Sequence, residues 1–181
     1  MPPLRATSTP APVPVLPADA RTVEVDLGDR SYPIYIGYDL LADPSLLRRH
    51  LNKSCLIVTN DTIAPLYLDQ LVQGLTAHDP TLRVETVVLR DGEEYKTLDE
   101  LNKIYDKAIS ARLDRRTTFV ALGGGVIGDM TGYAAASFLR GVDFVQVRPP
   151  TPPPQRVFQL PPPPPPPPPL NRVGKGTFVP A

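Results

Sequence analysis

The stretch 117–147, TTFVALGGGVIGDMTGYAAASFLRGVDFVQV, decides the fold. Its first six residues, 117–122, are β-branched, aromatic or aliphatic, and the run is short enough for a fully buried strand. Gly123, Gly124 and Gly125 follow, where a backbone can turn sharply and come close to a ligand. The apolar spacing predicts a helix over 127–139 and a second strand over 142–147. Strand, glycine turn, helix and strand in that order aim backbone N–H groups and a helix N-terminus at one spot. Such a spot suits a phosphate or pyrophosphate.

Gly123, Gly125 and Gly128 also satisfy the G-x-G-x-x-G spacing of dinucleotide-binding turns, a weak signal by itself. That fingerprint places an acid about 20 residues on, at the end of the second strand. Asp143 falls instead at the start of its strand. Asp129 is expected in the first helical turn, where an acid also stabilises the helix dipole with no ligand present. A tight turn with a helix-stabilising acid is therefore the competing account of these residues.

Proline marks out the unit around this stretch. Of 25 prolines, six lie in 1–20 and fifteen in 148–181, leaving Pro33, Pro44, Pro65 and Pro80 between them. Residues 21–147 are accordingly expected to form one globular domain, flanked by a disordered leader over 1–20 and a disordered or polyproline II tail over 148–181. The leader has no acid before Asp19 and no apolar centre like that of a secretory signal; as a plastid transit peptide it is poor in basic residues. Nineteen basic and nineteen acidic residues cancel, with no basic stripe for nucleic acid and no apolar run long enough for a membrane. Cys55 sits in an apolar run and reads as a small buried hydrophobe. His50 and His78 are isolated, each near the end of an expected helix, and no Cys/His spacing suggests zinc.

Working outward, 22–27 and 32–36 flank Gly28-Asp29 as a β-hairpin, with Pro33 suiting an edge. Asp43-Pro44 reads as the cap and first position of a short helix over 45–51. A buried strand over 54–59 ends at Asn60, Asp61 and Thr62, polar residues at a strand's carboxyl end. Asp61 is expected to cap a helix over 63–77, leaving Asn60 and Thr62 as ligand candidates. A strand over 82–89 leads into the charged loop Asp91-Gly92-Glu93-Glu94-Tyr95-Lys96, and Thr97 opens a capping box with Glu100. Leu98, Leu101, Ile104, Tyr105, Ala108 and Ile109 form one apolar helical stripe. Strands alternating with helices imply an α/β, Rossmann-like fold: a mostly parallel sheet, helices on both faces and the hairpin at one edge.

The glycine stretch and the DGExxK loop together resemble 3-dehydroquinate synthase, and the similarity reaches back through most of the chain. The resemblance implies an NAD-binding α/β domain followed by a mainly helical, zinc-binding catalytic domain, of which only the first is expected here. It implies cofactor contacts at Asn60, Thr62, Asp91, Gly92, Glu93 and Lys96, and at Gly124, Gly125, Val126, Ile127, Gly128 and Asp129. It further implies that Arg140 reaches a sugar-phosphate substrate across a homodimer, although a cation ending a helix is favourable without substrate.

The family converts 3-deoxy-arabino-heptulosonate 7-phosphate into 3-dehydroquinate and phosphate, with NAD reduced and reoxidised in the course of the reaction. The match stops at Val147, and the family's zinc ligands are not found after it, so the chain is expected to be inactive by itself. Two other readings stay open: a non-catalytic nucleotide-binding or polyproline interaction module, and part of a related sugar-phosphate cyclase. Cytoplasm, or plastid stroma in a phototroph, is the expected compartment.

Overall fold

The computed structural model describes residues 19–28 and 31–149, together with the backbone of 157–159. Seven strands form one sheet in the order β1-β2-β7-β6-β5-β3-β4. They are β1 (Arg21–Val25), β2 (Tyr32–Ile36), β3 (Ser54–Asn60), β4 (Arg83–Leu89), β5 (Thr117–Leu122), β6 (Asp143–Arg148) and β7 (Val157–Gln159). The four strands β6-β5-β3-β4 run parallel, and the β1–β2 hairpin lies antiparallel at the far edge. β7 pairs antiparallel with both β2 and β6.

Alternation along β3 divides the core into two layers, because successive side chains leave opposite faces of a strand. Cys55 and Ile57 pack with Leu46 and Leu47 of α1 (Pro44–Arg48) and with Leu71 and Leu75 of α2 (Asp69–His78). Leu56 and Val58 face the other way, onto Leu101, Ile104 and Ala108 of α3 (Leu98–Ser110) and Ile127, Met130 and Ala134 of α4 (Gly125–Ser137). The sheet is thus covered on both faces. Among the described residues, no helix is long and apolar enough to cross a membrane.

Several local expectations change. Asp43 does cap α1, accepting from the Ser45 N–H at 2.9 Å, but the helix stops at Arg48. Helix 63–77 becomes a π turn, Ala64–Leu68, followed by α2; over one turn, apolar spacing does not separate the two windings. β1, not β2, is the sheet edge, and Pro33 is tolerated because it lies beyond the last β2–β7 pair, Ile34 with Gln159. Helix α4 begins two residues early, at Gly125, so Asp129 stands past its first turn. The helix ends in a 3-10 turn, Phe138–Arg140. Within 148–181, expected to be disordered or polyproline II, the backbone of Val157–Gln159 forms β7, and these residues carry the main-chain donors that proline lacks. The remaining leader and tail assignments, including the polyproline run, lie outside the described residues.

Candidate functional site at the carboxyl end of the sheet

The carboxyl ends of β3, β4 and β5 bring together three of the predicted segments. After β3, Asn60 does what was expected of Asp61: its Oδ1 accepts from the Ile63 N–H at 2.8 Å and closes the turn into the next helix. Its Nδ2 donates to Asp91 Oδ1 at 2.7 Å. Asp61 instead accepts from the Asp91 N–H at 3.1 Å, while its own N–H bonds Leu89 O at 3.0 Å. The ends of β3 and β4 are therefore stitched together. Asn60 is buried with both ends of its amide used, whereas Thr62 is exposed beside it.

The loop after β4 makes a 3-10 turn over Glu93–Tyr95, entered through Gly92 at φ 129°, a conformation that favours glycine. Lys96 leaves this turn and reaches α4. Its Nζ lies 2.8 Å from Asp129 Oδ2 and 3.4 Å from Glu93 Oε1. The hydrogen bond to Asp129 raises the Lys96 pKa above its ordinary value against a smaller desolvation effect, and the negative charges of Asp129 and Glu93 add to it. The ammonium is held firmly ionised.

Thr97 then caps α3 through Oγ1, which accepts from the Glu100 N–H at 3.3 Å. Only half the expected capping box forms. The Thr97 N–H is already taken by Tyr95 O at 2.8 Å, which frees the Glu100 carboxylate. Glu100 turns back to Arg90, accepting its N–H at 3.3 Å and pairing with its Nε at 3.1 Å; it also pairs with Lys103. Burial would raise the Glu100 pKa, but the bonds from Lys103 and the Arg90 amide and the two cations lower it overall. Sequence spacing assigned Glu100 to the cap alone, and only its short distance from Arg90 along the chain hinted at more.

The four glycines of the turn divide by what a side chain would meet. A Cβ on Gly123 would lie 2.9 Å from Ile127 Cβ, and one on Gly128 would lie 2.6 Å from the Gln146 side-chain amide of β6. These two permit the tight turn and the close seating of helix on strand. At Gly124 and Gly125 a Cβ would meet nothing within 4 Å, so the space above them is open. No side chain caps α4 at Gly124. Val126 is half-buried, and Ile127 packs inward with 1% exposure, so these two offer the site backbone rather than side chains. An uncapped helix start beneath an open glycine surface, with a fixed ammonium alongside, fits a pyrophosphate.

Other candidates lie elsewhere. Asp143 begins β6 at the opposite end of the sheet, accepting from Asn52 Nδ2 at 2.7 Å. Arg140 follows the carboxyl end of α4, roughly 20 Å from the glycine turn along the helix axis. Its φ is 76°, after Leu139 at 49°, and it lines a cleft of about 420 Å³ with Leu113, Asp114, Arg115 and Leu139. Within one chain Arg140 does not meet the turn. Among the described residues, no three His, Cys, Asp or Glu side chains converge to hold a metal ion. His50 is largely buried beside Tyr35, with ring centroids 6.0 Å apart, and its Nε2 has no partner.

A mostly parallel sheet covered on both faces, with a glycine turn and an acidic loop meeting at its carboxyl end, is an α/β domain of the doubly wound class. Residues 86–152 match the family model described as 3-dehydroquinate synthase N-terminal. The chain is 65% identical over 126 residues to the chloroplastic 3-dehydroquinate synthase of Arabidopsis thaliana, covering 69% of this chain and 28% of that one. It is 55% identical over 128 residues to the 3-dehydroquinate synthase of Hydrogenovibrio crunogenus, covering 70% and 35%. Over these residues the chain is homologous to the N-terminal portion of 3-dehydroquinate synthase. It spans about a third of the length of these relatives.

Solved structures agree on the fold. A 2-deoxy-scyllo-inosose synthase complexed with carbaglucose-6-phosphate, NAD+ and Co2+ superposes with a TM-score of 0.57 at 25% identity, over 71% of this chain and 35% of that one. The 2-epi-5-epi-valiolone synthase of Streptomyces hygroscopicus subsp. jinggangensis, with NAD+ and Zn2+ bound, gives 0.53 at 28%, over 61% and 30%.

Proposed function

We propose that residues 21–147 are the NAD-binding domain of a 3-dehydroquinate synthase, serving conversion of 3-deoxy-arabino-heptulosonate 7-phosphate to 3-dehydroquinate and phosphate in aromatic amino acid biosynthesis. The observation that carries this reading is the 2.8 Å contact between Lys96 and Asp129, which joins the acidic loop to α4 beside the open surface of Gly124 and Gly125. Backbone N–H groups of Gly125, Val126 and Ile127 would hold the cofactor's pyrophosphate at the helix start, with Gly128 letting the helix seat close to the sheet. Asp129, Glu93 and Lys96 would meet its ribose and phosphate groups. Asp91 and Gly92 shape the loop that carries them, and Asn60 and Thr62 border the adenosine side. Bound NAD would supply the hydride acceptor.

The chain's own contribution is binding and charge. Lys96 brings a cation to an anionic ligand, and Asp129 fixes its place. Among the described residues, no three His, Cys, Asp or Glu side chains converge to hold the zinc that the family's chemistry implies. Arg140, far from the turn within one chain, suits contact with the substrate phosphate of a second copy in a homodimer. Plastid stroma is the expected compartment in a phototroph and cytoplasm otherwise. Identity of 55–65% with 3-dehydroquinate synthases, against 25–28% with the two other cyclases, favours the former as the activity served.

Gly125→Val gives a clean test, because the added side chain meets no protein atom near its Cβ. Titration calorimetry of the full chain with NAD should register binding, and the valine variant should fold normally and lose it. Equal affinity in the two proteins would remove the glycine turn from the site.

A further inference from the structure

We infer that Glu100 is a positioning residue that sets the shape of the cofactor-facing loop, an inference that rests on the NAD-binding reading above. Its side chain is 4% exposed, yet it is ionised and both carboxylate oxygens are engaged. Oε2 accepts the Arg90 backbone N–H at 3.3 Å, fixing the point where the loop leaves β4. Oε1 takes Arg90 Nε at 3.1 Å and the Lys103 ammonium. The Arg90 guanidinium in turn lies over the Tyr95 ring, 5.0 Å from its centroid. The backbone N–H of Glu100 donates to Thr97 Oγ1 at the loop's other end. One buried residue thereby holds the loop at its start, at its middle through Arg90 and Tyr95, and at its finish. Glu93 and Lys96 stand on the span between these points, and Lys96 is the residue that reaches Asp129.

A buried carboxylate is costly to leave unpaired, so Arg90 and Lys103 cannot drift from it without loss. The loop amides report the same order. The N–H groups of Tyr95, Lys96 and Thr97 bond Gly92 O, Glu93 O and Tyr95 O at 3.1, 3.1 and 2.8 Å. Glu100 touches neither the glycine turn nor Asp129. Its effect on a ligand would pass through the loop.

Hydrogen exchange read by NMR on the full chain separates positioning from bulk stability. In Glu100→Gln, a single neutral amide faces both cations in place of a carboxylate. Exchange at Arg90, Tyr95, Lys96 and Thr97 should quicken about ten-fold or more, the scale of a lost charge-assisted bond, while Ile104 and Ala108 of α3 keep their rates. Arg90→Ala, at a side chain 59% exposed, is a second variant that should fold. It should free Tyr95 and Lys96 but leave the residue-90 amide protected, since that N–H still donates to Glu100.

Unchanged loop amides in both variants, or uniform acceleration through α3, would overturn the inference. Calorimetry with NAD completes the test. Weaker binding by Glu100→Gln than by the wild type supports the positioning role, and equal binding with a loosened loop overturns it. A wild-type chain that does not bind NAD at all refutes the cofactor reading, and with it the positioning role for a cofactor. The loop amides still report whether Glu100 shapes the loop.

Discussion

Gly123 and Gly125 stand two residues apart in one turn, and the structure predicts opposite responses to the same small change. In Gly123→Ala the new methyl would lie 2.9 Å from Ile127 Cβ, 3.0 Å from Cγ1 and 3.2 Å from Cγ2. Ile127 is 1% exposed, and a β-branched side chain in a helix has essentially one rotamer, so it cannot swing aside. The backbone of the turn or the first turn of α4 must yield, at about 1–3 kcal/mol for overpacking of this kind. Restricting the unfolded chain returns about 0.4–1 kcal/mol, leaving a net loss of up to about 2.6 kcal/mol. Gly125→Ala meets nothing and opens a helix, so only the unfolded-state gain of about 0.4–1 kcal/mol remains. Urea unfolding followed by far-UV circular dichroism should place the two midpoints on opposite sides of the wild type. Coincident midpoints, or a less stable Gly125→Ala, would refute the division of the glycines into packing and ligand-facing positions.

Burial, with Arg49 adding to it, lowers the His50 pKa from 6.5 to about 4. Between those values the unfolded chain takes up a proton that the folded one refuses, so stability should fall as pH drops from about 6.5 and level off near 4. The loss is at most about 3 kcal/mol. His50→Phe should flatten urea midpoints between pH 6.5 and 4.5, and a slope that survives would exonerate His50. Asn60→Ala removes the acceptor for Ile63 N–H and the donor to Asp91, and should cost about 1–3 kcal/mol, more than Asp61→Ala at its exposed neighbour. Equal costs by urea melts would contradict the double role given to the buried Asn60 amide. Cys55 is fully buried, and its thiol is pushed up to about 12. Alkylation by iodoacetamide should therefore track unfolding, and rapid labelling of the folded chain would show the β3 layer to be open.

Regular elements were legible because their signals are local. Asp43-Pro44 announces a helix start, and 117–125 announces a buried strand running into a tight turn. What sequence spacing could not decide was which of several equivalent polar groups takes a given bond. Asn60 and Asp61 are both competent caps, but only Asn60 carries a donor as well as an acceptor, and tertiary proximity to Asp91 uses both. Glu100 has the spacing of a capping box and leaves it because Tyr95 O already holds the Thr97 N–H. Asp129 was one turn out, since glycines at a helix start carry no apolar signal by which to place it. The pairing of Lys96 with Asp129 across the sheet's end joins two motifs that the sequence displays well apart, and no spacing rule encodes it.

The place of β3 between β5 and the edge strand β4 has a consequence for how the chain reaches this state. Its pairing partners, β4 and β5, both arrive later in the sequence, beyond α2 and α3, whereas the β1–β2 hairpin can close on itself at once. Non-local parallel pairing is slow, because loops must close before contacts reward them. Until then Cys55-Leu56-Ile57-Val58-Thr59 is an uncharged apolar strand with two open edges. Such segments are the ones through which partly folded chains stick to one another. During synthesis and refolding, a strand that ends up buried between two neighbours is left open to misassociation.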